Sequence, residues 1–178
     1  MLSYKNNNYF SFIFYPLSLL YQIILFIRKK FYIINFLKTK SLPCKVISVG
    51  NITVGGSGKT PTVEYLSKLL QSKGKKVGII SRGYGRNSKK TLIVTDGKTK
   101  PKTWETFGDE PYLLAQKLDN VPIIVGKSRY EAGIKMIKKF NPDIIIMDDG
   151  FQHISLSRDL DIVLVNSKDT KETHRLMP

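Results

Sequence analysis

At 178 residues and 42% hydrophobic content the chain suits one domain with a real core, which excludes a disordered polypeptide. Its single cysteine, Cys44, excludes an intrachain disulfide framework and a cysteine-based zinc site, and fits a reducing cytoplasm. The net charge of +15, with no Asp or Glu before Glu64, points to an anionic partner: a phosphate-bearing substrate, an acidic membrane surface or nucleic acid.

The chain opens with an uncharged stretch from Asn6 to Ile27, closed at once by Arg28, Lys29 and Lys30. No small-residue cleavage site follows, which argues against a secretory signal. Tyr9 to Ile27 is 19 residues, borderline for a spanning helix that needs about 20. Pro16 is a natural first helical residue, and from there only 12 residues precede the charges, too few to span. Ser11, Ser18, Gln22 and Lys29 fall near one line at helical spacing and form a narrow polar stripe on a wide apolar surface. This pattern predicts a helix in the lipid interface, with Arg28, Lys29, Lys30, Phe31 and Tyr32 at the headgroup layer. The competing reading of the same pattern is a buried helix of a soluble core. Residues 1–40 are therefore set apart as a membrane-associated segment, and residues 41–178 as an α/β domain.

From Lys45 onward, short apolar runs alternate with helical patterns. The runs Val46–Val49, Val77–Ile80, Leu92–Val94, Val121–Val125, Ile144–Met147 and Ile162–Val165 are β-branched and apolar on both faces, as in a buried parallel sheet. Thr62–Lys73, Glu110–Leu118 and Arg129–Phe140 read as helices. The alternation predicts an α/β fold with a mostly parallel sheet flanked by helices. Ser128 and Glu131 form a capping box that opens the third helix, a structural role. Asn87–Lys90 and Thr95–Lys102 read as exposed loops or a hairpin insertion.

After the first strand comes Thr53-Val54-Gly55-Gly56-Ser57-Gly58-Lys59-Thr60. It matches the phosphate-loop pattern G-x-x-x-x-G-K-[ST] except that Thr53 stands where Gly is usual, and it has the strand–turn–helix setting the pattern requires. Gly55, Gly56 and Gly58 let backbone N–H groups converge on phosphate oxygens, and the following helix adds its positive end. Lys59 is placed to reach the β- and γ-phosphates, and Thr60 offers a hydroxyl to Mg²⁺. Pro61 falls in the first helical turn, where a missing N–H costs nothing.

Asp148 ends an apolar strand, the position of a Walker-B aspartate, and Asp149 follows it before Gly150. The plain alternative is that both carboxylates cap a turn. Asp109 and Glu110 open a helix, where the dipole alone favours acidic residues. Arg82 and Arg86, in Ser81-Arg-Gly-Tyr-Gly-Arg86, could grip phosphate bidentately or belong to a solvated loop. His153 follows in Phe151-Gln152-His153; a lone histidine is more often structural than a base.

Together these segments resemble the tetraacyldisaccharide 4′-kinase family of Gram-negative bacteria. The match is carried by Pro16-Leu-Ser-Leu-Leu-Tyr21, Gly50-Asn51 with TVGGSGKTP, SRGYGR at 81–86, GDEP at 108–111, DDGFQH at 148–153 and DLDIVLV at 159–165, with a weaker echo at Arg175–Pro178. The resemblance implies ATP-dependent phosphorylation of the 4′-hydroxyl of an acylated disaccharide 1-phosphate lipid, giving lipid IVA, on the cytoplasmic face of the inner membrane. It implies ATP and Mg²⁺ as cofactors, Thr53–Thr60 as the ATP loop and Asp109 as base for the sugar hydroxyl. Glu110, Asp148 and Asp149 then join Thr60 around Mg²⁺, and Arg82 and Arg86 contact anionic substrate.

Family members are roughly twice as long, with a second α/β lobe that closes over the site, and Asn166–His174 fit them poorly. The expectation is an N-terminal half: a split subunit with a separately encoded C-terminal half, a truncated product or a decayed gene, in which ATP binding survives and turnover depends on lobe closure. Two other readings compete. A GTPase or ATPase of metallochaperone or partitioning type shares the GG-x-GKT loop. Those ATPases carry Lys where this chain has Val54, and the guanine signature Asn-Lys-x-Asp is out of step at Asn166-Ser-Lys-Asp169. A non-catalytic, membrane-peripheral nucleotide binder is the other. Nucleic acid is not an expected partner, because the aromatics cluster in the apolar start rather than among the lysines.

Overall fold

A computed structural model of the chain describes residues 19–20, 22–27, 30–32, 34, 36–51 and 58–165. The apolar runs become six strands: β1 (Lys45–Asn51), β2 (Val77–Ser81), β3 (Leu92–Thr95), β4 (Ile123–Val125), β5 (Ile144–Asp148) and β6 (Leu160–Leu164). Three helices lie between them: α1 (Lys59–Ser72), α2 (Asp109–Lys117) and α3 (Arg129–Phe140). The strands form one sheet in the order β3-β4-β2-β5-β1-β6. All neighbours run parallel except β3 and β4, which are antiparallel with an irregularity between Ile93 and Thr95.

Period-two alternation sorts the strand residues between two cores. Val49, Ile79, Ile123, Val125 and Ile146 face one side, packed with Val63 of α1 and Leu114 and Ala115 of α2. Val46, Ile80, Ile124, Ile145 and Met147 face the other, packed with Ala132 and Met136 of α3. Cover on both faces is why these strands read as unbroken apolar runs.

Several boundaries move from the sequence expectation. β4 begins at Ile123 rather than Val121, since Pro122 has no N–H to give a ladder; its carbonyl still accepts from Ile79 N at 2.9 Å. β6 begins two residues early, at Leu160, because its pairing with β1 starts at Ile47. α1 begins at Lys59, three residues before Thr62, since Lys59 and Thr60 already wind into its first turn. The Ser128 cap is present: its side chain accepts from Glu131 N at 3.2 Å. Residues 96–99 form a tight turn in which Asp96 Oδ1 accepts from the N–H groups of Lys98 and Thr99.

Thr39–Ser167 form one compact unit, and the helical residues between 19 and 32 belong to another. In that second unit Leu19, Leu20, Ile23, Ile24, Phe26, Ile27, Phe31, Ile34 and Phe36 are exposed. Lys30 places its ammonium 5.4 Å from the centre of the Phe26 ring. No helix among the described residues is long and apolar enough to cross a membrane. Ser11, Pro16, Ser18, Arg28 and Lys29 lie outside the described residues.

Candidate active site

In an open parallel sheet, ligands bind at the carboxyl ends of the strands. Here that edge carries Asn51 of β1, Asp148 of β5 and Ser81 of β2, on three successive neighbours. Gly126 joins them just past β4, its N–H donating to Ser81 O at 3.0 Å.

The first functional group is Lys59. Of the loop residues, Thr53, Val54, Gly55, Gly56 and Ser57 lie outside the described residues, whereas Gly58, Lys59 and Thr60 are within them. Gly58 caps α1 at φ 81°, a left-handed conformation that glycine adopts without steric cost. Lys59 Nζ donates to Asn51 Oδ1 at 3.1 Å and lies 3.6 Å from Asp149 Oδ1. Thr60 is half-buried in the first turn of the same helix.

Asp148 is fully buried. Its Oδ2 accepts from Ser81 Oγ at 3.1 Å, while Oδ1 has no hydrogen-bond partner among the described residues. Burial pushes its pKa up to about 6, with Glu110 adding to the shift and the Ser81 hydroxyl opposing it. Asp149 is exposed, at φ 50°. The turn after it passes directly over β1. A Cβ on Gly50 would stand 2.5 Å from Phe151 Cβ and 2.9 Å from its backbone N, so only glycine at 50 permits this approach. Gly150 N donates to Val49 O at 3.1 Å and closes the turn onto the strand.

The start of α2 and the loop after β2 interlock in the same way. A Cβ on Gly83 would meet Phe107 O at 2.5 Å, and one on Gly108 would meet Tyr84 O at 2.6 Å. The SRGYGR and GDEP segments are therefore one packed structure rather than two independent loops. Asp109 is exposed, and its Oδ1 accepts from Glu110 N at 2.9 Å. Glu110 is half-buried; burial raises its pKa, Lys59 lowers it, and Asp149 and Asp109 raise it. Arg82 is exposed, while Arg86 Nη1 donates to Lys90 O at 2.6 Å and burial lowers its pKa.

Arg129 escaped the sequence reading. It is the first residue of α3 yet only 3% exposed. Its Nη1 donates to Gly126 O at 2.9 Å, and its Nε has no partner among the described residues. Burial lowers its pKa to about 10, opposed by the negative charges of Asp148 and Asp149. It stays a cation at neutral pH and so offsets part of the carboxylate charge at this edge. The sequence signal was an arginine directly after an N-cap that follows a sheet strand, a position facing the ligand edge. His153 Nε2 and Ser155 Oγ are 3.0 Å apart, and the His153 carbonyl accepts from Arg158 Nη1 at 3.1 Å.

A phosphate-loop Mg²⁺ takes few protein ligands, because nucleotide oxygens and waters fill the octahedron. Among the described residues no three His, Cys, Asp or Glu side chains close on one point as a metal cage. The unpartnered, buried Oδ1 of Asp148, on the edge that carries Lys59 and Thr60, suits such a cation.

Comparison with known proteins bears on this arrangement. The family model of tetraacyldisaccharide-1-P 4′-kinase matches residues 10–178. The chain belongs to this family. A tetraacyldisaccharide 4′-kinase of Aquifex aeolicus is 50% identical over 163 residues, covering 92% of this chain and 50% of the relative. One from Pelobacter propionicus is 41% identical over 152 residues, covering 85% and 42%. The crystal structure of the Aquifex aeolicus kinase in complex with ATP superposes with a TM-score of 0.80 at 50% identity, covering 87% of this chain and 49% of that one. The chain spans about half the length of the curated relatives it matches. Its sheet and flanking helices are thus similar to those of a 4′-kinase structure.

Proposed function

We propose that the α/β unit binds ATP with Mg²⁺ and serves transfer of the γ-phosphoryl group to the 4′-hydroxyl of tetraacyldisaccharide 1-phosphate. The observation that carries this reading is the convergence of Lys59 with Asp149 and Glu110 beside buried Asp148, at the start of a glycine-capped helix on the ligand edge. The similarity to an ATP-bound 4′-kinase structure supports it.

In this reading residues 53–60 cradle the triphosphate, and Lys59 keeps its bond to Asn51 while exchanging its contact with Asp149 for β- and γ-phosphate oxygens. Thr60 and Asp148, with Asp149 and Glu110 near, would hold Mg²⁺, which supplies charge neutralisation on the phosphates when bound. Asp109 takes the proton of the sugar hydroxyl as its oxygen attacks the γ-phosphorus, and ADP departs. Its exposure at the helix tip suits a base that must meet an incoming lipid headgroup. Arg82 and Arg86 contact anionic substrate. The segment before Thr39 forms the part that meets the membrane surface, with apolar side chains exposed beside lysines, and the Thr39–Ser167 unit forms the kinase domain. In this reading the protein is a peripheral or monotopic component of the cytoplasmic face of the inner membrane.

The test is twofold. Calorimetric titration with ATP and GTP in Mg²⁺ should give tighter ATP binding; a preference for GTP would favour the GTPase alternative. Incubation with γ-labelled ATP and tetraacyldisaccharide 1-phosphate, with and without the second half of a full-length relative, should give labelled lipid in at least one arm. Labelled lipid in neither arm would overturn the kinase assignment.

A further inference from the structure

Asn51 is the last residue of β1 and Lys59 the first of α1. The bond from Lys59 Nζ to Asn51 Oδ1, 3.1 Å long, therefore ties the end of β1 to the start of α1. Both partners are shielded: Asn51 is 9% exposed and the Lys59 side chain 16%. An ammonium only donates, so it fixes the carboxamide oxygen, not the nitrogen, towards Lys59.

We propose that Asn51 is a positioning residue that pre-aims the Lys59 ammonium at the site of the β- and γ-phosphates. This rests on the ATP-loop reading and deepens it. A lysine side chain has several rotatable bonds, and fixing them in the free protein removes that entropy loss from the binding step. The choice of asparagine follows from charge. A carboxamide orients the cation without cancelling its charge, whereas a carboxylate at 51 would pair with it and add a negative charge beside the triphosphate. Asp149 does not substitute for Asn51: it is farther, at 3.6 Å, and its side chain is 56% exposed, so water screens the pair. Asn51 instead stands on a strand held on both sides, by β5 and by β6, with its own partner in register Leu164.

The experiment measures displacement of a fluorescent ATP analogue from the full chain by ATP, ADP and AMP. The variants are Asn51→Ala, Asn51→Asp and Lys59→Ala. Asn51→Ala should weaken ATP and ADP by about three- to tenfold, the range that one ordered side chain accounts for, and leave AMP unchanged, because AMP lacks the phosphates that Lys59 meets. Asn51→Asp should weaken ATP at least as much. Thermal melts identify variants that fail to fold; if Asn51→Ala does, Asn51→Ser, too short to reach Nζ, takes its place. Loss of ATP binding in Lys59→Ala with none in Asn51→Ala overturns the positioning role while leaving the ATP loop intact. An equal loss for AMP and ATP overturns it too, as a general structural effect. Unchanged ATP binding in Lys59→Ala overturns the ATP-loop reading itself, and this proposal with it.

Discussion

Ser81 at the end of β2 donates its hydroxyl to Asp148 Oδ2 at the end of β5, across neighbouring strands, and leaves Asp148 Oδ1 unpartnered among the described residues. Within the described residues one hydrogen bond faces this buried carboxylate, and its burial favours the protonated form.

That imbalance has a pH signature. The pKa of Asp148 rises from 3.8 to about 6 on folding, so its penalty is absent below about pH 4 and complete above about pH 6. Stability should therefore fall as pH rises through that window, by roughly 3 kcal/mol from this group. Asp148→Asn lacks the effect. The stability difference between variant and wild type, from urea melts at pH 4 to 7.5, should grow in favour of the variant up to pH 6 and then level off. A pH-independent difference would contradict the buried, under-bonded carboxylate.

The interlocked loops predict a contrast between two glycines of one segment. Gly83 has φ 67° and its added Cβ would meet Phe107 O, whereas Gly85 has φ 75° with nothing within 4 Å. Gly85→Ala should cost about 1 kcal/mol from backbone conformation alone. Gly83→Ala should cost about 2–3 kcal/mol, since the backbone of residue 107 must also move. Equal costs in chemical denaturation would show that the 83–107 contact is not held in solution.

Binding and transfer should separate by residue. Lys59→Ala should weaken ATP binding at least 100-fold in calorimetry, the scale expected when a buried, hydrogen-bonded charge contact to phosphate is removed (about 3 kcal/mol). Asp109→Ala should leave ATP affinity within about twofold and reduce phosphoryl transfer by about 100-fold or more, whichever protein completes the site. Retained transfer would remove Asp109 from the role of base.

Removal of residues 1–38 stops short of Lys40, whose backbone pairs with the α/β unit through Ser155 and Ser157. The shortened chain should keep its fold and ATP binding but stay in the supernatant when spun with vesicles containing acidic lipid. The full chain should sediment with the vesicles and be released in part by salt, as polybasic attraction is. Continued sedimentation of the shortened chain would place the membrane contact elsewhere.

Much of this was legible in the residues. All six apolar runs became strands; the central ones, β1, β2, β4 and β5, were plainest, because strands buried on both faces write themselves as continuous β-branched segments. The N-cap at Ser128 was legible because it is a local bond over three residues. The glycine-capped start of α1 at Gly58 and Lys59 was legible because the phosphate-loop pattern ends on a helix N-terminus.

What depended on tertiary structure is everything that joins distant segments. No spacing rule brings Ser81 to Asp148, 67 residues away, or seats Phe151 on Gly50. Arg129 reads as an ordinary helix start; only the packing of α3 against the sheet buries it beside the carboxylates. The sequence by itself determined which groups the candidate site offers, since strand and cap are local matters. The tertiary structure decided their charge and aim, because desolvation and contact across strands belong to the folded sheet alone.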